Sequence, residues 1–274
     1  MIDLNSRSGL SDRLNWLIDE GINASVEKPR TYLGCSAIGG ECARGVQLEY
    51  ADAYAASCDA GRDAGCTASA CPFPARVRRI FERGHDVEDR AARWLRLARL
   101  LLVTEDPLTG GQFEVSFLGG RLLGHADGIL TCWRGEGEPP LPLPALWECK
   151  CLAHKYVMAA RREHIRRSHP KYWYQMQLYM MGLHLERGLI TCVDADSMEI
   201  YHELVPYEEG EAVKMLQRAK LILQATDAGE LLPRAETTPA AMACRMCRVA
   251  KVCWGVVQNG KYWRLGSRCN TCKG

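Results

Sequence analysis

Alternation of apolar and polar residues predicts strands in the middle of the chain. Residues 112–118 alternate in this way, a Gly-Gly pair predicts a turn, and residues 121–133 predict a second strand. A proline-rich loop then leads into a third predicted strand over residues 145–151. Two further segments, residues 189–193 and 198–204, predict a hairpin later in the chain.

Apolar positions spaced by three or four residues predict helices around these strands. The helices are expected over residues 44–56, 75–103, 154–168 and 171–185, with a last one ending at Gly229. Pro170 is expected to break the helical stretch that surrounds it. A short amphipathic segment around Trp16 predicts a helix or a cover, and residues 58–74 predict an irregular excursion. This order of elements predicts a mixed α/β core.

The composition is that of a globular protein and does not indicate a binding partner. The chain has 274 residues, of which 47% are hydrophobic and 25% charged, a balance typical of globular proteins. At about 150 residues per domain, this length corresponds to two domains. The net charge of +2 points to no partner. No apolar run reaches the roughly 18 residues of a membrane helix. The N-terminus lacks the pattern of a signal peptide, so we expect a cytoplasmic protein without membrane contact.

Cysteine is the unusual component, with 14 residues in the chain. In a reducing compartment, metal or cluster ligation is expected more than disulfide bonding. Cys244, Cys247 and Cys253 form a C-x2-C-x5-C pattern in which two thiolates can reach one metal centre. Three thiolates need a fourth ligand.

The candidate chemistry lies at Asp127 and in the segment Glu148-Cys149-Lys150. Side chains alternate along a strand, so Glu148 and Lys150 project from the same face. Asp127, at the end of the preceding strand, can bring a second carboxylate. Such a set suits Mg²⁺, with the backbone carbonyl of Cys149 as a further oxygen ligand. Lys150 would orient or deprotonate the attacking water. The alternative is a surface hairpin with incidental charges.

Two flanking segments add polar groups to this set. Glu88 lies at the start of a predicted helix, where a solvated first-turn glutamate is the alternative. Gln175 and Tyr179 are four residues apart and share a helix face, which suits contacts to DNA or water. An aromatic-rich core helix is the competing interpretation.

Together, these residues resemble the PD-(D/E)XK nuclease superfamily over about residues 31–255. The likeness is greatest to its RecB-like branch, which includes lambda-type phage exonucleases and CRISPR-associated RecB-like nucleases. It implies a restriction-endonuclease-like core, a central mixed sheet flanked by helices. The residues that correspond to the family's catalytic set are Glu88, Asp127, Glu148, Lys150, Gln175 and Tyr179. Gln177 is an alternative within the family's Gln/Tyr motif. Ala126 stands where the family name implies proline, and Glu88 where some members have histidine.

The resemblance implies a Mg²⁺- or Mn²⁺-dependent deoxyribonuclease. We expect an exonuclease of phage or prophage DNA recombination, in the host cytoplasm if it is phage-encoded. Its expected partners are DNA, a recombination or single-strand-annealing protein, and further copies of itself. The alternatives are a catalytically silent DNA-binding or assembly protein on the same fold, and a zinc-dependent nucleic-acid-binding module.

The resemblance also implies a 4Fe–4S cluster. In the iron–sulfur members, an N-terminal Cys-x-Arg cysteine joins a C-terminal C-x2-C-x5-C, and the matching residues here are Cys42, Cys244, Cys247 and Cys253. Zinc is the alternative, held by Cys244 and Cys247 with the Cys269/Cys272 pair. A separate zinc site would join that pair to two cysteines among Cys58, Cys66 and Cys71. The remaining cysteines are expected to be buried thiols: Cys35, Cys132, Cys149, Cys151 and Cys192.

We therefore expect a nuclease core over residues 1–239, with its cysteine-containing N-terminal segment at 31–74, and a metal-binding region over residues 240–274 packed on it.

Two basic patches flank the candidate site in sequence. They predict contacts to the phosphate backbone, with solvated helix faces as the alternative. The predicted DNA contacts are Arg78, Arg79, Arg83, Lys155, Arg161, Arg162, Arg166, Arg167, Lys171 and Gln177.

Overall fold

The computed structural model describes residues 9–25, 30–57 and 73–255, and these form helices and two mixed sheets. The helices are α1 (Leu10–Ala24), α2 (Cys35–Ile38), α3 (Ala43–Ser57), α4 (Ala75–Leu97), α5 (His154–Ser168), α6 (Pro170–Leu183), α7 (Glu209–Asp227), α8 (Met242–Arg245) and α9 (Ala250–Gly255). The strands are β1 (Leu33–Gly34), β2 (Leu100–Val103), β3 (Phe113–Phe117), β4 (Leu122–Ala126), β5 (Gly128–Trp133), β6 (Ala145–Leu152), β7 (Arg187–Asp194) and β8 (Ile200–Pro206).

The smaller sheet has the strand order β1-β4-β3, and the larger has the order β2-β5-β6-β7-β8. Within the larger sheet, β6 and β7 are parallel, and the other neighbours are antiparallel. The helices α5 and α6 supply the crossover between the two parallel strands, as such a connection requires. The expected mixed α/β class with flanking helices is confirmed.

The central strand β6 separates two hydrophobic cores. On one face, Leu146 packs with residues of α6 and α7 such as Met176 and Ile222. On the other face, Trp147 and Cys149 pack against α4. Because side chains alternate along the strand, Glu148 shares the face of Leu146 and points toward α6.

Two predicted boundaries are wrong. Residues 121–133 are not one strand, because the chain passes from the smaller sheet to the larger one at Asp127. The predicted helix over residues 75–103 ends at Leu97, and residues 100–103 form β2. A run of leucines fits a buried strand as well as a helix, and Arg99, at φ 66°, ends the helical path. Pro170 is the first residue of α6, a favoured position for proline.

In the described residues, no helix is long and apolar enough to span a membrane.

Candidate active site

The candidate site lies where the chain crosses between the sheets. Strand β5 pairs with β6 only as far as Gly128 opposite Trp147. Beyond this point, the amide of Cys149 donates a 2.7 Å hydrogen bond to Oδ2 of Asp127. A carboxylate thus takes the place of the next strand residue, which holds Asp127 beside Glu148 and Lys150.

Glu148 is a fully buried carboxylate whose two oxygens have different surroundings. Its Oε1 accepts hydrogen bonds from Lys150 Nζ at 2.5 Å and from Gln175 Nε2 at 2.7 Å. Its Oε2 is buried and makes no hydrogen bond to any residue that the structure describes. An unpaired buried polar atom costs about 1–3 kcal/mol, and more where it is charged. The position is therefore suited to a cation ligand.

Burial raises the pKa values of the three carboxyl groups at this site. Burial, and then the charge of Asp127, raise the pKa of Glu148 to about 8. Burial and Asp127 likewise raise the pKa of Glu88 to about 7, which brings the α4 glutamate into the same group. Burial also raises the pKa of Asp127. A bound divalent cation would favour the charged carboxylates and relieve this repulsion.

Lys150 supplies the positive charge of the group. Burial opposes its charged form, but the carboxylates of Glu148 and Asp127 outweigh that cost and raise its pKa. Its side chain keeps 19% of its surface exposed. Nζ also lies 5.5 Å from the centre of the Tyr172 ring. No spacing rule relates positions 150 and 172, and the sequence contained no signal for this contact.

Gln175 and Tyr179 lie on the face of α6 that packs against this group. Gln175 Nε2 donates to Glu148 and lies 3.1 Å from the hydroxyl oxygen of Tyr179. The Tyr179 ring in turn lies over Gly124 of β4, where a Cβ atom would come within 2.3 Å of Tyr179 Cε1. Close packing therefore runs from α6 to β4, three residues before Asp127.

The open side of the site is a cleft of about 200 Å³. The carboxylates of Glu88, Asp89, Glu105 and Asp127 line it, together with Arg96. Burial raises the pKa of Asp127, and His85, one turn before Glu88 on α4, opposes that shift to a small extent. His85 was not selected from the sequence, although its spacing of three residues from Glu88 places both on one helix face.

Among the residues that the structure describes, no group of three or more His, Cys, Asp or Glu side chains forms a preformed metal cage. Magnesium commonly uses one or two carboxylates, with water and substrate phosphates as its other ligands. Asp127 and Glu148 can provide such a pair, because Glu148 Oε2 is unpaired.

Of the four cysteines of the predicted cluster, Cys42 and Cys247 both lie beside Gly45, but no three of them form a metal-binding group in the part of the chain that the structure describes. A Cβ atom at Gly45 would be 3.7 Å from Cys247 Sγ and 3.9 Å from Cys42 Sγ. Burial, and then several charges that include those of Cys42 and Cys253, raise the pKa of Cys247. Cys244 lies one turn before Cys247, whose amide bonds to its carbonyl at 3.1 Å. The second predicted metal set (Cys58, Cys66, Cys71, Cys269 and Cys272) lies outside the described residues.

The other cysteines are mostly buried, as expected. Cys35, Cys149 and Cys192 are buried, and Cys151 is half-buried. Cys132 is exposed on β5, so the expectation of a buried thiol is wrong there.

The first basic patch serves partly to hold α1. Arg78 is buried and donates to the Ile22 carbonyl and to Ser25 Oγ, and Arg79 is paired with Asp19. The prediction that Arg78 contacts DNA is therefore wrong, and Arg79 has a protein partner. Arg83 is exposed and lies near Cys151, the residue after Lys150.

The second basic patch is divided between paired and unpaired cations. Three of its arginines form ion pairs. Arg161 lies 3.2 Å from Glu199, and Arg166 lies 2.7 Å from Glu208. Arg167 lies 3.7 Å from Glu163. Lys155, Arg162 and Lys171 are exposed, and none has an ion pair with a described residue.

Gln177 has no exposed surface. Its Nε2 donates to the Pro206 carbonyl at 2.9 Å, and its Oε1 accepts from the Glu208 amide at 2.7 Å. The prediction that Gln177 contacts DNA is wrong, because both ends of its amide bind the protein backbone.

Comparisons with known proteins show only distant likeness. No model of a known protein family matches the chain, and no curated protein is similar to it. The alkaline exonuclease LHK-Exo from Laribacter hongkongensis is 14% identical over 76% of this chain and 93% of its own, with a TM-score of 0.44. A phage related exonuclease from Haemophilus somnus 129PT is 15% identical over 53% of this chain and 69% of its own, with a TM-score of 0.38. These values are too low to assign a family, so the function has to be argued from the site.

Proposed function

We propose that the protein is a divalent-metal-dependent nuclease that hydrolyses phosphodiester bonds in DNA, with a PD-(D/E)XK catalytic set of the RecB-like type. The observation that carries this proposal is the buried Glu148 carboxylate. Its Oε2 has no hydrogen-bond partner in the described chain, while Asp127 and Lys150 stand beside it at the open end of the β5–β6 pairing. A purely structural ion pair would gain nothing from the unpaired buried oxygen.

Asp127 and Glu148 are the proposed metal ligands, with Glu88 and the Cys149 carbonyl as further oxygens. When bound there, Mg²⁺ or Mn²⁺ would polarise the scissile phosphate and stabilise the leaving oxygen. Lys150 is held in its charged form by the carboxylates around it. It can therefore donate a hydrogen bond to the phosphate or to the attacking water. Gln175 and Tyr179 position Glu148 from α6.

The test is cleavage of end-labelled linear DNA with Mg²⁺ by the wild type, Asp127→Asn and Lys150→Ala. We expect each variant to lose activity by about 10²–10³-fold, the range for removal of one electrostatic group. Glu138→Gln, in the exposed proline-rich loop, is the matched control and should retain full activity. Undiminished cleavage by both site variants would refute the assignment. DNA binding without cleavage by the wild type would favour the silent DNA-binding alternative.

An exonuclease acting in phage or prophage DNA recombination is the finer proposal, and it rests on the resemblance of the motif set. It includes a cytoplasmic location, self-association and an annealing-protein partner. A time course on linear and end-blocked DNA tests whether cleavage starts from an end, because an exonuclease requires a free end. Equal rates on both substrates would indicate an endonuclease.

We also propose that Cys42, Cys244, Cys247 and Cys253 bind a 4Fe–4S cluster, with zinc as the alternative. Support comes from the approach of Cys247 to Cys42 and from the Gly45 amide, which lies 3.4 Å from Cys42 Sγ, since amide hydrogen bonds tune cluster thiolates. The cluster would join α3 to the C-terminal region.

Anaerobic purification and metal analysis test this proposal. We expect a brown protein that contains iron and sulfide, and loss of colour in Cys247→Ser. Cys132→Ser, at an exposed position, is the control. A colourless protein with stoichiometric zinc would establish the alternative.

A further inference from the structure

A row of aromatic rings extends from the candidate catalytic lysine to the surface. Lys150 Nζ lies 5.5 Å from the Tyr172 ring centre, and Tyr172 is stacked on His169 at 5.7 Å with an interplanar angle of 9°. His169 meets Tyr156 edge to face at 5.9 Å. We call Tyr172, His169 and Tyr156 the aromatic row.

The row ends in solvent and not in a hydrophobic core. Tyr156, in the first turn of α5, keeps 47% of its surface exposed, while Tyr172 and His169 are half-buried behind it. The inner rings thus hold the outer ring in place. A fixed, exposed ring loses little conformational freedom when a flat ligand stacks on it.

A lysine ammonium and an imidazole lie at the exposed end of the row. Lys155 Nζ lies 4.8 Å from the Tyr156 ring centre. His154, the residue before Lys155 in the sequence, has an exposed imidazole. The nearby carboxylate of Asp194 is buried and bonded to His154 Nδ1 at 2.6 Å, and Asp196 accepts from the His154 amide at 3.2 Å. Aromatic rings interleaved with cations are typical of surfaces that bind single-stranded nucleic acid, where rings stack on bases and cations contact phosphates.

We infer that the aromatic row is a stacking platform for an unpaired nucleobase of the DNA strand whose phosphate lies at Lys150. A base inside a duplex has both faces covered by its neighbours, whereas a single strand or a frayed end leaves a face free. The platform therefore selects DNA that is unpaired beside the cut. The claim that DNA is cut beside the platform rests on the proposed nuclease function. Stacking of a base on the platform does not require cleavage.

The experiment measures binding of a fluorescein-labelled oligothymidylate by anisotropy in EDTA. Tyr156→Ala is expected to bind about tenfold more weakly, because stacking on an aromatic ring is worth about 1–3 kcal/mol per base. Tyr156→Phe keeps the ring and should retain most of the affinity. Trp16→Ala removes an aromatic residue that is 61% exposed on α1, outside the row, and should bind as the wild type does.

A change in the ligand distinguishes loss of stacking from misfolding of the variant. In a set of oligonucleotides, each lacks the base at one position. Removal of the base at one of these positions should weaken binding to the wild type. The same removal should not change binding to Tyr156→Ala. Equal affinity of Tyr156→Ala and the wild type, or equal sensitivity of both to every abasic position, would overturn the platform. If the wild type cleaves no DNA but this pattern holds, the platform stands and the proposed nuclease function fails.

Discussion

Gln175 Nε2 lies 2.7 Å from Oε1 of Glu148, so an amide from α6 holds the buried carboxylate of β6 in one orientation. The other hydrogen of the same nitrogen is directed to the Tyr179 hydroxyl at 3.1 Å. Glu148 therefore presents Oε2, and not Oε1, to a ligand. The positions of three side chains on two elements depend on this one amide group.

Replacement Gln175→Ala should reduce kcat/KM for DNA cleavage by about 10–100-fold, the usual cost of removing a group that orients a metal ligand. The Mn²⁺ concentration for half-maximal activity should rise with it, which a merely destabilised protein would not show. Gln177→Ala is the matched control, since this buried glutamine lies on the same helix but binds the backbone at Pro206 and Glu208. It should lower the thermal midpoint and leave the Mn²⁺ dependence unchanged.

Gly124→Ala should destabilise the protein by about 1–3 kcal/mol, because the added methyl group would collide with the Tyr179 ring and overpack the core. Chemical denaturation measures this change. Gly84→Ala on α4 is the comparison, because a Cβ atom there meets nothing within 4 Å. Alanine within a helix is favoured over glycine, so Gly84→Ala should stabilise by up to about 1 kcal/mol. Equal effects of the two substitutions would contradict the close approach at Gly124.

Gln47 joins α3 to the segment after α7. Its Nε2 donates to the Glu230 carbonyl at 2.7 Å, and its Oε1 accepts from the Leu232 amide at 2.9 Å. Gln47→Ala leaves those backbone groups without a partner and should cost about 1–3 kcal/mol of unfolding free energy. Gln224→Ala, at an exposed position of α7, should change stability little. Loss of iron in the Gln47 variant alone would show that this link also supports the cluster region.

Acid should weaken the turn between β7 and β8. The Asp196 amide, and then His154, help to hold the pKa of Asp194 well below its usual value. A carboxyl group with a depressed folded-state pKa stabilises the protein above its unfolded pKa of about 4, and that contribution is lost as pH falls toward the folded value. Urea unfolding between about pH 6 and about pH 2 should therefore show a smaller acid dependence in Asp194→Asn than in the wild type. Asp86→Asn, exposed on α4, should follow the wild-type curve.

Short-range rules account for the parts of the site that lie on one element. Alternation along a strand places Glu148 and Lys150 on one face, and the helical repeat does the same for Gln175 and Tyr179. The sequence by itself thus determined which side chains act together within β6 and within α6, and the mixed α/β class of the core.

Only the tertiary structure decided how these elements meet. Asp127 reaches Cys149 because β5 stops pairing with β6 at Gly128, and Tyr172 reaches Lys150 because α6 crosses the face of that strand. Contacts between other elements make Arg78 and Gln177 structural residues. Periodicity reports the direction of a side chain relative to its own element. The end of a strand pairing and the crossing of a helix depend on the packing of distant segments, which no local pattern encodes.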